Sequence, residues 1–167
     1  MARKDFGGSN TPPDIKDLWQ TPFEVFDPLH AKFRFKHDMA AADYNALLPS
    51  YFTAERSALR VPWPDGWKWC NPPYSDIAPW VRRAGIYRET VMLVPADMST
   101  AWARLACRKA NEIWLLDFRV GFVRADTQTP LGSNPKPSML IVFDKTPPKS
   151  GRAALSVISQ KDLLGFY

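Results

Sequence analysis

At 167 residues and 46% hydrophobic content, the chain is long enough for one domain with a real core. No apolar run approaches about 18 residues, so a membrane span is not expected. No apolar stretch follows Met1-Ala2-Arg3-Lys4-Asp5, which argues against a secretory signal. Cys70, Cys107, His30 and His37 are the only cysteines and histidines and lack metal-ligand spacing, so no metal is expected. The net charge of +5 fits a nucleic-acid partner without being specific to one.

Residues 1–17 are dominated by Gly, Ser, Asn and Pro and read as a flexible arm ahead of a single domain over 18–167. Thr21-Pro22-Phe23-Glu24 has the pattern of a capping box, with Thr21 as N-cap and Pro22 at the first helical position. The helix would turn Phe23, Phe26 and Leu29 inward. Residues 33–38 alternate apolar and polar and read as a strand ending at Asp38, followed by a loop of small residues. Residues 44–51 read as a short helix stopped near Pro49. Residues 67–70 form a second strand. Ile77, Trp80, Val81 and Ala84 then recur at helical spacing, with Trp80 expected in the core.

Residues 90–94 are a buried strand, and Ser99 is placed to cap a helix bearing Trp102, Leu105 and Ala106. Residues 112–116 are a strand with 118–123 as its expected hairpin partner. The Pro- and Gly-rich stretch 126–138 is a connector or a lid over a substrate, and 139–143 is a last strong strand. The tail 145–167 looks free of the catalytic fold. Strands alternating with helices predict an α/β fold, a mostly parallel sheet with a late antiparallel strand. Ligands in such sheets sit at the carboxyl ends of strands, where Asp38 and Asn71 both fall.

Asn71-Pro72-Pro73-Tyr74 is the most informative motif. It stands where a strand gives way to a helix. Pro-Pro pairs also punctuate ordinary loops. An Asn or Asp, two prolines and an aromatic nonetheless suit one task, holding a planar amine while a methyl group reaches its nitrogen. The exocyclic amine of adenine is a poor nucleophile because its lone pair is delocalised into the ring. Acceptors at both N–H bonds pull the nitrogen toward sp³. The Asn71 side-chain oxygen is one candidate acceptor and the Pro72 carbonyl the other. Pro73 biases Pro72 toward an extended conformation, which aims that carbonyl. Tyr74 offers a face for the base to stack on. No metal or covalent intermediate is needed, because the sulfonium of S-adenosylmethionine is already a good electrophile. Arg82, Arg83, Arg88, Arg104, Arg108 and Lys109 concentrate positive charge mid-chain, as a polyanion surface or as solvated helix faces.

Trp19-Gln20-Thr21-Pro22, Asp38-Met39-Ala40-Ala41, Asn45-Ala46-Leu47, Asn71-Pro72-Pro73-Tyr74-Ser75 and Leu93-Val94-Pro95-Ala96 occur in that order. Phe118-Arg119-Val120-Gly121-Phe122 and the strand beginning at Ser138 follow. Together they cover about residues 18–144, and the ordered set resembles the phage-type DNA N6-adenine methyltransferases, the Dam family of phages and prophages. The resemblance implies a Rossmann-like, S-adenosylmethionine-dependent methyltransferase fold, with a sheet of about seven strands whose last is reversed. It implies methylation of adenine N6 in DNA, with base flipping and a bacterial cytoplasmic setting. It implies a cofactor pocket lined by Trp19, Thr21, Asp38, Ala40 and Asn71. Asp38 would hold the methionine ammonium and Glu55, on a second strand, the ribose. Asn71, Pro72, Pro73 and Tyr74 would be catalytic. Tyr74, Arg119, Phe122 and Lys136 would meet the substrate.

One departure stands out. The wider class carries Phe-x-Gly-x-Gly after the first strand, whereas no glycine lies here between Gly8 and Gly66. Two rivals remain, the first because the Asn-Pro-Pro-Tyr motif also suits other planar nitrogens, the second because of the missing glycines. One is an N-methyltransferase acting on RNA or on a protein glutamine. The other is a catalytically degenerate fold that only binds DNA. The few residues left for base reading, Arg124, Asp126, Gln128, Asn134 and Lys136, imply short or relaxed specificity.

Overall fold

The computed structural model describes residues 19–124, 127–130 and 136–167. The arm expected over 1–17, and Asp126 and Asn134 of the base-reading set, lie outside them. The fold is mixed α/β, built on a six-stranded, mostly parallel sheet. Its strands are β2 (His37–Asp38), β3 (Lys68–Cys70), β4 (Thr90–Pro95), β5 (Glu112–Leu116), β7 (Ser138–Phe143) and β8 (Ala154–Ile158). A separate two-stranded ribbon pairs β1 (Trp19–Gln20) with β6 (Val123–Arg124), antiparallel.

The order across the main sheet is β2-β3-β4-β7-β5-β8. β2, β3 and β4 run parallel, as do β5 and β8, while β7 is antiparallel to both its neighbours. The late reversed strand is thus present, but it is neither last nor at an edge. It is wedged between β4 and β5, and all six of its residues are buried. The tail does not hang free: it supplies β8 and the short helix α4 (Gln160–Leu164).

Alternation along the strands sends side chains to two cores. On one face Cys70, Met92, Ile113, Met139 and Ile141 meet α2 (Ala78–Tyr87) and α3 (Ala101–Lys109) through Trp80, Val81, Ala84, Ala103 and Ala106. On the other face Trp69, Val91, Leu93, Trp114 and Leu140 meet α1 (Phe23–Phe33) and α4 through Val25, Phe26, Leu29 and Leu163. The result is a three-layer sandwich with helices on both faces. The Phe26 ring meets Trp69 edge-on at 5.5 Å, which seats α1 on the strand that carries the site.

Several local expectations are corrected. Pro22, not Thr21, precedes the first helical residue, and its carbonyl receives the Val25 and Phe26 amides at 3.0 and 3.1 Å. Thr21 is turned inward instead. The alternation over 33–38 belongs to a helix end and a loop, because Phe33 closes α1 and Arg34 (φ 56°) stops it. Only His37 and Asp38 remain as strand. Residues 44–50 form turns and bends and not a helix: the Asn45 and Ala46 amides both close on the Ala42 carbonyl, and the bonds around them go to side chains. Asn45 Oδ1 takes the Ala42 amide at 2.6 Å, and the Asp38 side chain takes the Leu47 amide. Tyr51 bridges Asp38 in parallel, the only trace, among the described residues, of a further strand on the edge of β2 away from β3.

Thr100, one residue beyond Ser99, caps α3 by accepting from the Ala103 amide at 3.3 Å; Ser99 bonds Asp97 instead. Residues 118–123 do not pair with β5, whose neighbours are β7 and β8; β6 pairs with β1 instead.

Candidate active site

A cavity of about 470 Å³ opens at the carboxyl ends of β2 and β3. Residues 39–45 supply one wall and 53–55 with Ser57 another, while Trp19, Asn71, Pro73 and Trp80 complete it. That volume lies in the range of ordinary small-molecule sites, about 300–1,000 Å³. The place normally taken by a glycine loop is held by Ala40, Ala41 and Ala42, whose methyl groups leave the cavity open. Two carboxylates, Asp43 and Glu55, stand in its wall. Asp43 Oδ1 accepts from the Tyr51 hydroxyl at 3.0 Å, which fixes one oxygen and leaves the other for a ligand. Glu55 lies on a turn four residues past the Tyr51 bridge and not on a strand.

Asp38 is placed differently from the expectation. It is 3% exposed and is not part of the cavity wall. Its Oδ1 accepts from the Ala40 amide at 3.3 Å and its Oδ2 from the Leu47 amide at 3.2 Å. Both ends of the loop that walls the cavity are thereby tied to one carboxylate. Burial pushes the Asp38 pKa up to about 6, and the two amide bonds offset part of that rise.

The catalytic candidates sit together after β3. The Asn71 Nδ2 donates to the Trp19 carbonyl at 3.0 Å, while its Oδ1 is buried and takes no hydrogen bond among the described residues. Buried acceptors are nearly always satisfied, so an orphan at a cavity rim marks a place for a donor. Pro72 is buried, and Pro73 faces the cavity. The Pro73 carbonyl takes the Asp76 amide at 3.4 Å, while that of Pro72 takes no backbone hydrogen bond among the described residues.

Tyr74 is half-buried between the two cores and is not in the cavity wall. Its hydroxyl reaches the Leu93 carbonyl at 3.5 Å, and burial raises its pKa. Phe122 is only 2% exposed. It stands edge-on to both Trp19 and Tyr74, at 6.1 Å from each, and so joins the ribbon to the Asn-Pro-Pro-Tyr turn. Thr21 is 1% exposed with its hydroxyl unpaired among the described residues, and it too lies outside the cavity wall.

The mid-chain cations do not form one surface. Arg88 is 8% exposed and stitches the carbonyls of Lys109, Asp144 and Thr146 and the Asn111 side chain. Arg83 bonds the Val61 carbonyl and lies against the Tyr87 ring. Arg108 and Lys109 end α3 on the side away from the cavity. Toward the cavity's edge of the sheet lie Arg104 near the start of α3, Arg119 after β5 and Lys136 before β7, all exposed.

Sequence reasoning missed Asp43, Ala42, Thr53 and the cavity face of Trp80. Asp43 had a signal, since it closes the same alanine run that Asp38 opens. Trp80 had none, because it is 6% exposed and serves the core as well.

The model of the DNA N-6-adenine-methyltransferase (Dam) family matches residues 8–165. The chain belongs to this family. A Dam relative from Haemophilus phage HP1 (strain HP1c1), a DNA N-6-adenine-methyltransferase, is 34% identical over 93% of this chain and 97% of its own length. One from Escherichia phage T1 bears the same description and is 30% identical over 86% of this chain and 69% of its own. No described helix is long and apolar enough to cross a membrane, and no described cluster of His, Cys, Asp or Glu could hold a metal ion.

Proposed function

We propose that this protein transfers a methyl group from S-adenosylmethionine to the N6 amine of adenine in DNA. The observation that carries the reading is the orphaned Asn71 Oδ1 at the rim of a cofactor-sized cavity. Family membership supports the same reading, and the reversed strand beside β4 is compatible with a Rossmann-like methyltransferase sheet. The alanine wall, Trp19, Asp43 and Glu55 would hold the cofactor, with a carboxylate available for its ribose hydroxyls. When bound, the cofactor supplies an electrophilic methyl group on a sulfonium.

The chain's own contribution is orientation. Asn71 Oδ1 and the Pro72 carbonyl accept the two N–H bonds of the amine and turn its lone pair toward the cavity. The adenine must leave the stack to reach them. Tyr74 and Phe122 back the turn as an aromatic wall, and Arg119 and Lys136 supply phosphate contacts on the approach side. Those contacts carry no sequence information, so specificity is short or relaxed.

Purified protein, labelled S-adenosylmethionine and DNA of varied sequence, followed by nucleoside analysis, test this. Label in N6-methyladenine, spread over many contexts, is expected. Label only on RNA or on protein glutamine, or cofactor binding without transfer, overturns the reading.

Salt gives a second expectation. About three phosphate contacts, from Arg104, Arg119 and Lys136, imply a log–log slope of DNA affinity against salt near −3. A flat plot in a fluorescence-anisotropy titration would remove the polyanion substrate.

A further inference from the structure

The two ends of the Asn71 amide meet different surroundings. Nδ2 donates to the Trp19 carbonyl at 3.0 Å, and Oδ1 is buried without a donor among the described residues. Only the NH₂ end can satisfy a carbonyl, so the bond to Trp19 decides which end is turned out as acceptor. Trp19 belongs to β1, which is not part of the main sheet. β1 is held by β6, with Trp19 opposite Arg124 and Gln20 opposite Val123. The Trp19 indole also rests on the edge of Phe122. The chain beyond β6 folds back on the same ribbon. The Arg124 amide bonds the Thr129 carbonyl at 2.9 Å, and the Gln128 side chain reaches that of Gln20 at 3.3 Å.

We infer that β1 is a positioning strand: the Trp19 carbonyl sets the Asn71 amide with its oxygen toward the reacting amine, and the pairing with β6 ties that setting to Arg124 and residues 127–130. This rests on the adenine-methylation reading given above. The Trp19 carbonyl acts through Asn71 and not on the substrate.

The inference separates asparagine from aspartate at position 71. Both offer an oxygen to an amine, so a free-standing acceptor would tolerate either. Here a carboxylate would face the Trp19 carbonyl, lone pairs against lone pairs. A protonated carboxyl could donate to Trp19 and recover the productive setting. Activity of Asn71→Asp is therefore present at low pH and lost as pH rises through that carboxyl's pKa.

Single-turnover methyl transfer to adenine-containing DNA should be followed for wild type, Asn71→Ala and Asn71→Asp from about pH 5.5 to about pH 8.5, a span above the ordinary carboxylate range. Asn71→Asp should run at least about 100-fold below wild type at the upper end. Its ratio to wild type should rise at least about tenfold toward the lower end, while that of Asn71→Ala stays flat. Asp38, Cys70 and Tyr74 beside the turn, and Asp43 and Glu55 in the cavity wall, are common to all three proteins, so the ratio to wild type, read against the Asn71→Ala control, reports on the carboxyl placed at position 71.

A second readout needs no activity. The Asn71 side-chain amide resonances, assigned by their loss in Asn71→Ala, should carry the downfield shift of a hydrogen-bonded proton and lose it in Gln20→Pro, which breaks the ribbon. Wild-type rate in Asn71→Asp at the upper pH, or free-amide shifts in the wild type, overturns the positioning role and leaves the methylation reading standing. A wild type that methylates no adenine in DNA defeats that reading instead, and the amide shifts still decide the orientation of Asn71.

Discussion

Asn71→Ala is expected to lose about 10²–10³ in the single-turnover rate of methyl transfer while keeping most of its affinity for S-adenosylmethionine. The asymmetry follows from where the oxygen acts. Asn71 contributes one of many cavity contacts, but its Oδ1 is the orphaned acceptor that the amine would fill. An acceptor that matters most as the amine becomes a nucleophile is worth more in the transition state than in the ground state. The truncation also frees the Trp19 carbonyl, which water can satisfy at the open rim. Rapid-quench transfer with saturating cofactor, beside calorimetric titration of the cofactor, separates the two effects. A rate near wild type would end the assignment of Asn71 as acceptor.

Asp38→Ala is expected to weaken cofactor binding at least about tenfold without touching the cofactor. Two amides, of Ala40 and Leu47, would lose their acceptor, at about 1–3 kcal/mol for each that stays buried. The loop they anchor supplies residues 39–45 of the cavity wall. The stability effect depends on pH, and its sign runs against habit. The folded pKa is raised, from 3.8 to about 6, so Asp38 contributes its full stability below the lower value and loses it as pH rises through the upper. The gap is worth about 3 kcal/mol in favour of the protonated acid. The melting temperature of wild type should therefore exceed that of Asp38→Ala most clearly near and below about pH 4, with the margin narrowing from there to about pH 6 and level above it. Calorimetric melts of both proteins across that span test it. A margin that grows with pH would mean that Asp38 is charge-paired in the fold.

Long apolar runs were the legible part of the fold. The strands at 90–95 and 138–143 are buried on both faces and read as strands wherever they are met. The helix after the Asn-Pro-Pro-Tyr turn was legible for a similar reason, since Ile77, Trp80, Val81 and Ala84 share one buried stripe. Residues 33–51 misled because their order comes from side-chain hydrogen bonds. Nothing in the periodicity of 44–51 says that Leu47 will bond Asp38. The tail misled because the outward β8 keeps almost all its residues exposed and so lacks an alternating signature.

The same division holds at the site. Asn71 and the prolines could be named as candidates because the chemistry proposed for them is local. Asp38 was expected at the cofactor and is seen binding the Ala40 and Leu47 amides; a carboxylate binding a ligand and one binding its own loop look alike in a sequence. Trp19 lies 52 residues from Asn71, and its carbonyl is a backbone atom, which no residue type announces.

The central place of β7 has a consequence for how the chain folds. β4 and β5 are made early, but they do not pair with each other; each pairs with the strand that arrives at 138–143. A nascent chain ending before Ser138 would hold the β2-β3-β4 part-sheet and an unpaired β5, with bare, apolar edges in the middle of the future core. Such edges invite pairing with other chains. The sheet closes from its centre by the insertion of a late, uncharged hexapeptide. Folding should therefore pass through a sticky intermediate that lasts until translation has moved well beyond Phe143, and chaperone dependence should fall sharply at that length.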